Sequence, residues 1–306
     1  MTVNPNLVAI EPKSIPLYDT AVRLAGGTVS PIGPDVGGLI WVDYRNPEAL
    51  ASVLEQNPQL SWVQLPWAGV DAFSHMLKLP FRFTSAKGSY REPVAEHALM
   101  LCMALGRKLP ERILAKSWGE KFAVSLYDSN VVIIGGGGIT EELLLQLAPF
   151  RAKVTVVRNR ELPLSGASSV VTLDRLDSVL PKADFVILAC ALTDETRGLF
   201  DARRLSLMSP QSYLVNVARG SVVDTDALCD ALEAGVIAGA GVDVTDPEPL
   251  PDGHRAWGVS NLIITPHTAD TPRQVQHFFA IRIEANVSAY LGKSDWVGVV
   301  DPELGY

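Results

Sequence analysis

Four chemically useful side chains each lie shortly after a short apolar run of the sequence: Arg219, Asp243, Glu248 and His267. An arginine can hold a carboxylate through its fork of N–H donors and polarise an adjacent carbonyl. A histidine titrates near neutral pH and can deliver a proton. A glutamate paired with that histidine would raise the imidazolium pKa and fix its tautomer. Arg219, Glu248 and His267 therefore have the chemistry to reduce a 2-keto acid, provided that a nicotinamide supplies the hydride.

Each of these residues also has a purely structural interpretation. Arg219 could be a surface arginine ahead of a helix, and Asp243 could cap a turn. Glu248 lies between two prolines and could be a solvated loop carboxylate, and His267 could be a turn histidine. Their common position at consecutive strand ends favours function, because the carboxyl ends of parallel strands meet at one edge of a sheet.

Alternating apolar strands and helical segments predict an α/β chain with parallel sheets. Six predicted strands in the central section indicate a doubly wound dinucleotide-binding domain: Val131–Ile134, Val154–Val157, Phe185–Ala189, Tyr213–Asn216, Ala238–Val242 and Leu262–Ile264. Four more precede it: Leu7–Ile10, Gly38–Val42, Trp62–Leu65 and Phe81–Thr84. Helices are predicted at Pro47–Gln56, from Pro93 onward, and at Pro272–Leu291. We expect residues 94–271 to be a domain inserted into a second one made of residues 1–93 and 272–306.

The first central strand ends in four glycines, Gly135–Gly138, and a helix-compatible segment follows. Such a turn can place a pyrophosphate on a helix N-terminus, where free N–H groups and the helix dipole meet its charge. Gly135 and Gly137 match the first two glycines of G-x-G-x-x-G, but Thr140 takes the third position. A glycine-rich turn with no ligand is the structural alternative.

A basic pair follows the next strand, where NAD-preferring folds carry an acidic residue for the ribose 2′-hydroxyl. Arg158 and Arg160 cannot accept a hydrogen bond from that hydroxyl, but they suit a 2′-phosphate. The alternative is a solvated basic loop. With the glycine turn upstream, the pair favours NADP over NAD, and NAD stays open.

Composition limits the remaining possibilities. The 306 residues are 47% hydrophobic and 20% charged, which is ordinary for a globular enzyme. A net charge of −8 without a basic run argues against nucleic acid as a partner. No apolar run has membrane-span length and the N-terminus lacks a secretion-signal pattern, so we expect a cytoplasmic protein without membrane contact. Three scattered cysteines, Cys102, Cys190 and Cys229, are expected to be buried thiols, with no disulfide or metal site.

Several segments resemble the D-isomer-specific 2-hydroxyacid dehydrogenases, and they cover nearly the whole chain in order. The matching segments are Pro93–Leu99, Gly135–Ile139, Leu192–Gly198, Asn216–Asp224 (NVARGSVVD), Gly241–Pro251 (GVDVTDPEPLP) and Asn261–Thr268 (NLIITPHT). The resemblance implies a Rossmann domain inserted into a smaller flavodoxin-like α/β substrate domain. The basic pair resembles the NADP-preferring glyoxylate/hydroxypyruvate reductase branch, so the resemblance implies a small anionic 2-keto acid as substrate and a homodimer, with Ala95–Leu109 as a candidate contact. That stretch could equally be buried within one chain.

The resemblance also implies a role for each matched residue. Arg219 binds substrate and acts in catalysis, Glu248 is the carboxylate partner, and His267 is the acid/base. The implied cofactor-binding residues are Gly135, Gly137, Gly138, Ile139, Arg158, Arg160, Thr196, Val217 and Asp243. The implied substrate-side loop contributes Trp67, Ala68 and Gly69.

Three residues depart from the family pattern. Thr140 in place of glycine is expected to hold the turn helix slightly farther from its strand. Ala191 replaces a usual proline and is expected to loosen the loop beside the adenosine, and Ala269 replaces a usual glycine. None removes a catalytic group. The alternative function is a dinucleotide-sensing binding protein that kept the fold with weak catalysis.

Overall fold

The computed structural model describes residues 3–303, which divide into two compact units. One unit combines the chain up to Tyr90 with the chain from Thr271 onward, and the other is Arg91–Asp270. The chain leaves the first unit once and returns to it once, so the second unit is an insertion in the sequence.

The first unit contains a parallel sheet in the order β2-β1-β3-β4-β5, which is the flavodoxin-like strand order. Its strands are β1 (Asn4–Glu11), β2 (Thr28–Val29), β3 (Val36–Trp41), β4 (Trp62–Gln64) and β5 (Arg82–Thr84). The four predicted strands are present, and the two-residue strand β2 was too short to be predicted from its pattern.

Three helices accompany this sheet: α1 (Pro16–Ala25), α2 (Pro47–Gln56) and α9 (Pro272–Tyr290). The returning helix α9 is joined to the sheet through buried polar groups. The Asn286 amide donates to Gln64 Oε1 at 2.6 Å, and the Thr84 hydroxyl donates to the same oxygen at 2.8 Å. Because all three side chains are buried, these bonds fix the helix in one position on the sheet.

The second unit contains a parallel sheet in the order β12-β11-β10-β9-β6-β7-β8. Its strands are β6 (Asn130–Ile134), β7 (Lys153–Val157), β8 (Ser169–Val171), β9 (Phe185–Leu188), β10 (Tyr213–Asn216), β11 (Gly239–Val242) and β12 (Leu262–Ile264). This is the Rossmann order extended by one strand. The predicted fold class is confirmed, but the predicted count of six strands is wrong, because β8 contains only two apolar residues and follows a polar stretch.

Helices cover both faces of this sheet, and each face has its own apolar cluster. The helices are α3 (Arg91–Gly106), α4 (Leu109–Leu114), α5 (Gly138–Leu147), α6 (Leu176–Val179), α7 (Ala202–Leu207) and α8 (Thr225–Glu233). Short 3-10 turns in the two units span Asp71–Met76, Ala148–Phe150, Leu173–Arg175, Leu180–Lys182, Gly220–Val222 and Arg255–Gly258. Between residues 3 and 303, no helix is long and apolar enough to cross a membrane.

Candidate active site

The loop that carries Arg219 is folded by the side chain of Asn216, at the end of β10. The buried Asn216 amide donates to the Arg219 carbonyl at 3.0 Å, and its oxygen accepts the Ala218 N–H at 3.0 Å. The Arg219 guanidinium is half-buried and donates to the Ala218 carbonyl at 2.7 Å. No role was predicted for Asn216 from the sequence. Its bonds are to backbone groups two and three residues along the chain, and they depend on a local loop conformation that residue spacing does not predict.

The Arg219 loop is held against the loop that follows β11. Gly220 approaches so closely that a Cβ there would lie 1.9 Å from the Thr245 carbonyl oxygen. Ser221 donates to the Asp246 carboxylate at 2.5 Å, and Thr225 donates to the Asp246 carbonyl at 2.9 Å. The loop bearing Glu248 is therefore fixed relative to the loop bearing Arg219.

His267 and Glu248 form a hydrogen-bonded pair. His267 Nδ1 lies 2.6 Å from Glu248 Oε1, so the carboxylate accepts the Nδ1 proton and leaves Nε2 for other partners. The two side chains are 50% and 41% exposed. The bond to Glu248 raises the pKa of His267, against burial and the nearby Arg219 charge, which lower it. The imidazolium form therefore persists to higher pH than in an isolated histidine.

Asp243 anchors the His267 loop by accepting hydrogen bonds from several of its residues. Its carboxylate accepts the Thr265 hydroxyl at 2.6 Å and the Thr268 and Ala269 amides at 2.9 and 3.1 Å, while its carbonyl accepts the His267 N–H at 2.8 Å. Burial acts to raise the pKa of Asp243, but bonds from His97, Thr265 and Thr268 outweigh it and hold the pKa below its usual value. The buried carboxylate is thus ionised and committed to the His267 loop.

Asp270 is a further carboxyl group near His267 that the sequence did not single out. It is half-buried, and burial raises its pKa, whereas the His267 charge acts to lower it. Its position three residues after the histidine could have marked it, but a lone loop aspartate has no motif of its own.

The glycine turn has the shape that a dinucleotide pyrophosphate needs. Gly135 has a φ of +115°, and a Cβ there would lie 2.4 Å from the Ala189 carbonyl oxygen. Gly137 precedes α5, whose first helical residue is Gly138, and a Cβ at Gly137 would meet nothing within 4 Å. Open space therefore lies at a helix N-terminus with free amides, which fits a bound phosphate.

Thr140, at the position of the third glycine, contributes a hydrogen bond of its own. It is fully buried, and its hydroxyl donates to the Gly135 carbonyl at 2.9 Å. The hydroxyl thus bridges the strand end to the first turn of α5.

Arg158 lies directly beside this turn. A Cβ on Gly136 would come within 2.9 Å of the Arg158 side chain, so that side chain extends over the glycines. Arg158 is half-buried and Arg160 is exposed. A guanidinium group beside the turn fits the phosphate-bearing side of a dinucleotide.

The remaining cofactor candidates lie around the same sheet edge. The Thr196 hydroxyl donates to the Ala191 carbonyl at 2.7 Å and accepts the Thr193 N–H at 2.8 Å, so hydrogen bonds close this loop on itself. Val217 is buried at the end of β10, and Ile139 is half-buried in the first turn of α5.

The predicted substrate-side residues Trp67, Ala68 and Gly69 lie in the first unit, shortly after β4. The Trp67 ring packs edge-on against Tyr44 and Tyr90, at centroid distances of 4.9 and 5.3 Å. Ala68 is exposed and Gly69 is half-buried. This loop therefore has an aromatic support within its own unit.

The cysteines are free thiols. Cys102 and Cys229 are buried as expected, but Cys190 is half-buried because it lies on the loop beside the glycine turn. Burial raises the pKa of Cys102 to about 12 and that of Cys190 to about 11. Among residues 3–303, no cluster of histidine, cysteine and carboxylate side chains is suited to a metal ion.

Comparison with known proteins identifies the family. Residues 98–269, more than half of the chain, match the family model "D-isomer specific 2-hydroxyacid dehydrogenase, NAD binding domain". An uncharacterised protein of Corynebacterium melassecola is 37% identical over 81% of this chain and 84% of its own length. The glyoxylate reductase/hydroxypyruvate reductase of Mus musculus is 30% identical over 73% of this chain and 71% of its own length.

A solved structure agrees with these sequence matches. The D-isomer specific 2-hydroxyacid dehydrogenase of Xanthobacter autotrophicus Py2, in complex with NADPH and MES, is 28% identical, with a TM-score of 0.85 over 98% of this chain and 99% of that one. The glycine turn and the family match together support a nicotinamide cofactor. The chain therefore belongs to the D-isomer-specific 2-hydroxyacid dehydrogenase family of NAD(P)-dependent oxidoreductases.

Proposed function

We propose that the protein reduces a small 2-keto acid, of the glyoxylate or hydroxypyruvate type, to the D-2-hydroxy acid with NADPH. The observation that carries this proposal is the 2.6 Å bond between His267 Nδ1 and Glu248 Oε1, which leaves His267 Nε2 as a proton donor. The positive charge of Arg219 acts on the same imidazole. An anion-binding group and a proton donor are the two protein parts that this reduction needs.

Each residue has a defined task in this proposal. Arg219 binds the substrate carboxylate and polarises its keto group. His267 transfers the Nε2 proton to the keto oxygen, while Glu248 holds the ring and stabilises its charged form. The nicotinamide, when bound, supplies the hydride. Trp67, Ala68 and Gly69 are proposed to contact the substrate, and Asp243 to face the cofactor.

NADPH is proposed over NADH because Arg158 lies against the glycine turn. Its side chain comes within 2.9 Å of a Cβ position on Gly136. A 2′-phosphate is the part of NADPH that NADH lacks, and a guanidinium can bind it through two parallel hydrogen bonds.

A steady-state panel tests this function: oxidation of NADPH and of NADH with glyoxylate, hydroxypyruvate, pyruvate and larger 2-keto acids. We expect turnover with the small acids and a higher kcat/KM with NADPH. Tight cofactor binding without turnover on any acid would favour the dinucleotide-sensing alternative and overturn the proposal.

We also propose that two copies of the chain associate through the segment 100–127. α3 buries one side within its own unit but exposes Met100 and Met103, at 43% and 48%. Farther along, Ile113, Leu114 and Trp118 are 73%, 76% and 91% exposed. So many large apolar side chains in one segment are typical of a protein interface, and a second copy is the partner always present.

Light scattering coupled to size-exclusion chromatography tests this association. The wild-type protein is expected to have the mass of a dimer, and the Ile113→Glu/Trp118→Glu double variant the mass of a monomer. Leu24→Glu, at an exposed leucine elsewhere, is the matched control. A monomeric wild-type protein would contradict the proposal.

A further inference from the structure

A second histidine, His97, lies at the base of the His267 loop. It is on α3, which packs against β10 and β11, and its side chain is only 13% exposed. His97 Nε2 lies 2.9 Å from the Thr265 hydroxyl oxygen and 3.4 Å from Asp243 Oδ1. His97 lies in the matched segment Pro93–Leu99, but no role was predicted for it from the sequence, since it is 168 residues from Thr265 in the chain.

The direction of these hydrogen bonds follows from the number of protons available. Thr265 Oγ1 has a single proton and lies 2.6 Å from the ionised Asp243 carboxylate, which can only accept. That proton therefore points to Asp243. The contact between His97 and Thr265 must then use an Nε2 proton, so His97 carries a proton on Nε2 and donates it to Thr265.

Asp243, the last acceptor in this series of hydrogen bonds, determines where His267 lies. Asp243 receives the amides of Thr268 and Ala269 and, through its carbonyl, the amide of His267. The His267 backbone has a φ of +50°, in the left-handed region. Residues other than glycine persist in this region only when the surrounding structure holds them there. The hydrogen bonds from His97 to Thr265 and from Thr265 to Asp243 help to hold His267 in this conformation.

We propose that His97 is a positioning residue for the acid/base histidine: by donating to the Thr265 hydroxyl, which in turn donates to Asp243, it holds the His267 loop in its bonded conformation. This inference rests on the proposed function of His267. His97 touches neither the reacting atoms nor His267 itself, so it acts through Thr265 and Asp243. Loss of its donor would remove one of the bonds that hold Thr265 and Asp243 in place and would loosen the contact between His267 and Glu248.

The test compares His97→Leu, which removes the donor, with His97→Gln, whose amide Nε2 can replace the imidazole proton. We expect His97→Leu to lower kcat about 10–100-fold, as is usual for residues that orient a reactive group, with little change in KM for NADPH. We expect His97→Gln to recover most of that loss. His75→Leu, at an exposed histidine of the first unit, is the matched control.

The pKa of His267 provides a second readout that does not require turnover. Glu248, Arg219 and Asp243 are charged groups that act on this imidazole, and the His267 charge acts in turn on Asp270. NMR titration of the His267 ring should give a lower pKa in His97→Leu than in wild type or His97→Gln, because the bond to Glu248 is weakened.

The outcomes separate this inference from the proposed function. If folded His97→Leu has the wild-type kcat and the wild-type pKa of His267, or if His97→Gln is as impaired as His97→Leu, His97 is not a positioning residue. If wild type itself reduces no 2-keto acid, the proposed function fails, while the NMR titration still decides whether His97 positions His267.

Discussion

His267 combines a strained backbone with a strong side-chain bond. A left-handed conformation costs a residue with a side chain about 1–3 kcal/mol, which the bonds to Asp243 offset. In this conformation the imidazole Nδ1 lies 2.6 Å from Glu248 Oε1. The geometry therefore favours a charged, oriented proton donor.

The pH dependence of reduction follows from this pair. The folded-state pKa of His267 is raised, so the imidazolium is present at low pH and is lost as the pH rises through that pKa. We expect kcat for reduction to fall over the same range. In Glu248→Gln the midpoint of that fall should move to lower pH, because the carboxylate charge is gone. The measurement is kcat as a function of pH. The control is Asp252→Asn, at an exposed carboxylate four residues after Glu248. An unchanged midpoint in Glu248→Gln would contradict the pairing of Glu248 with His267.

The cofactor preference is also a property of single residues. Replacing Arg158 and Arg160 by glutamine should weaken NADPH binding about 10–100-fold and NADH binding much less, since hydrogen bonds between charged groups contribute about 1.5–3 kcal/mol. Dissociation constants for both cofactors, from fluorescence titration, are the measurement. Equal losses for the two cofactors would remove the 2′-phosphate assignment.

At the scale of elements, the loops after β10 and β11 are held together by two hydrogen bonds to Asp246 and by one close approach. A methyl group on Gly220 would overlap the Thr245 carbonyl, so Gly220→Ala must push the two loops apart. We expect this variant to lose at least 10-fold in kcat/KM together with several degrees in melting temperature. Gly258→Ala, where a Cβ meets nothing within 4 Å, is the control and should resemble wild type. Wild-type activity in Gly220→Ala would show that the loops are not coupled.

These elements also show what the sequence can predict. Tyr213–Asn216 and Leu262–Ile264 were predicted with their observed bounds, because short apolar runs between polar turns signal parallel strands. β8 lacked that signal, since Ser169–Val171 contains only two apolar residues and follows a polar stretch. Glu248 and His267 could be identified by type and motif. Asn216 and His97 lie in matched segments, but their roles could not be predicted, because these depend on hydrogen bonds that only the folded chain creates.

At the scale of the whole molecule, the chain must return to its first unit after 180 residues of insertion. The buried bonds of Asn286 with Gln64 and with Val297 hold the returning helix on its sheet. Asn286→Ala removes the partner of the Val297 carbonyl and N–H and one of the two donors to Gln64 Oε1. We expect a loss of about 2–4 kcal/mol in the free energy of unfolding. Chemical denaturation measures it, with Gln276→Ala, on an exposed side of the same helix, as control. A loss no larger than that of the control would mean that packing alone positions α9.

The central claim is that His267 donates the proton when a 2-keto acid is reduced. Steady-state oxidation of NADPH by glyoxylate and hydroxypyruvate, measured for wild type and His267→Ala alongside NADPH affinity, tests it most directly. The account predicts turnover by wild type, and a loss of about 10²–10⁴-fold in kcat in His267→Ala with NADPH affinity retained. Near-wild-type turnover in His267→Ala would contradict it.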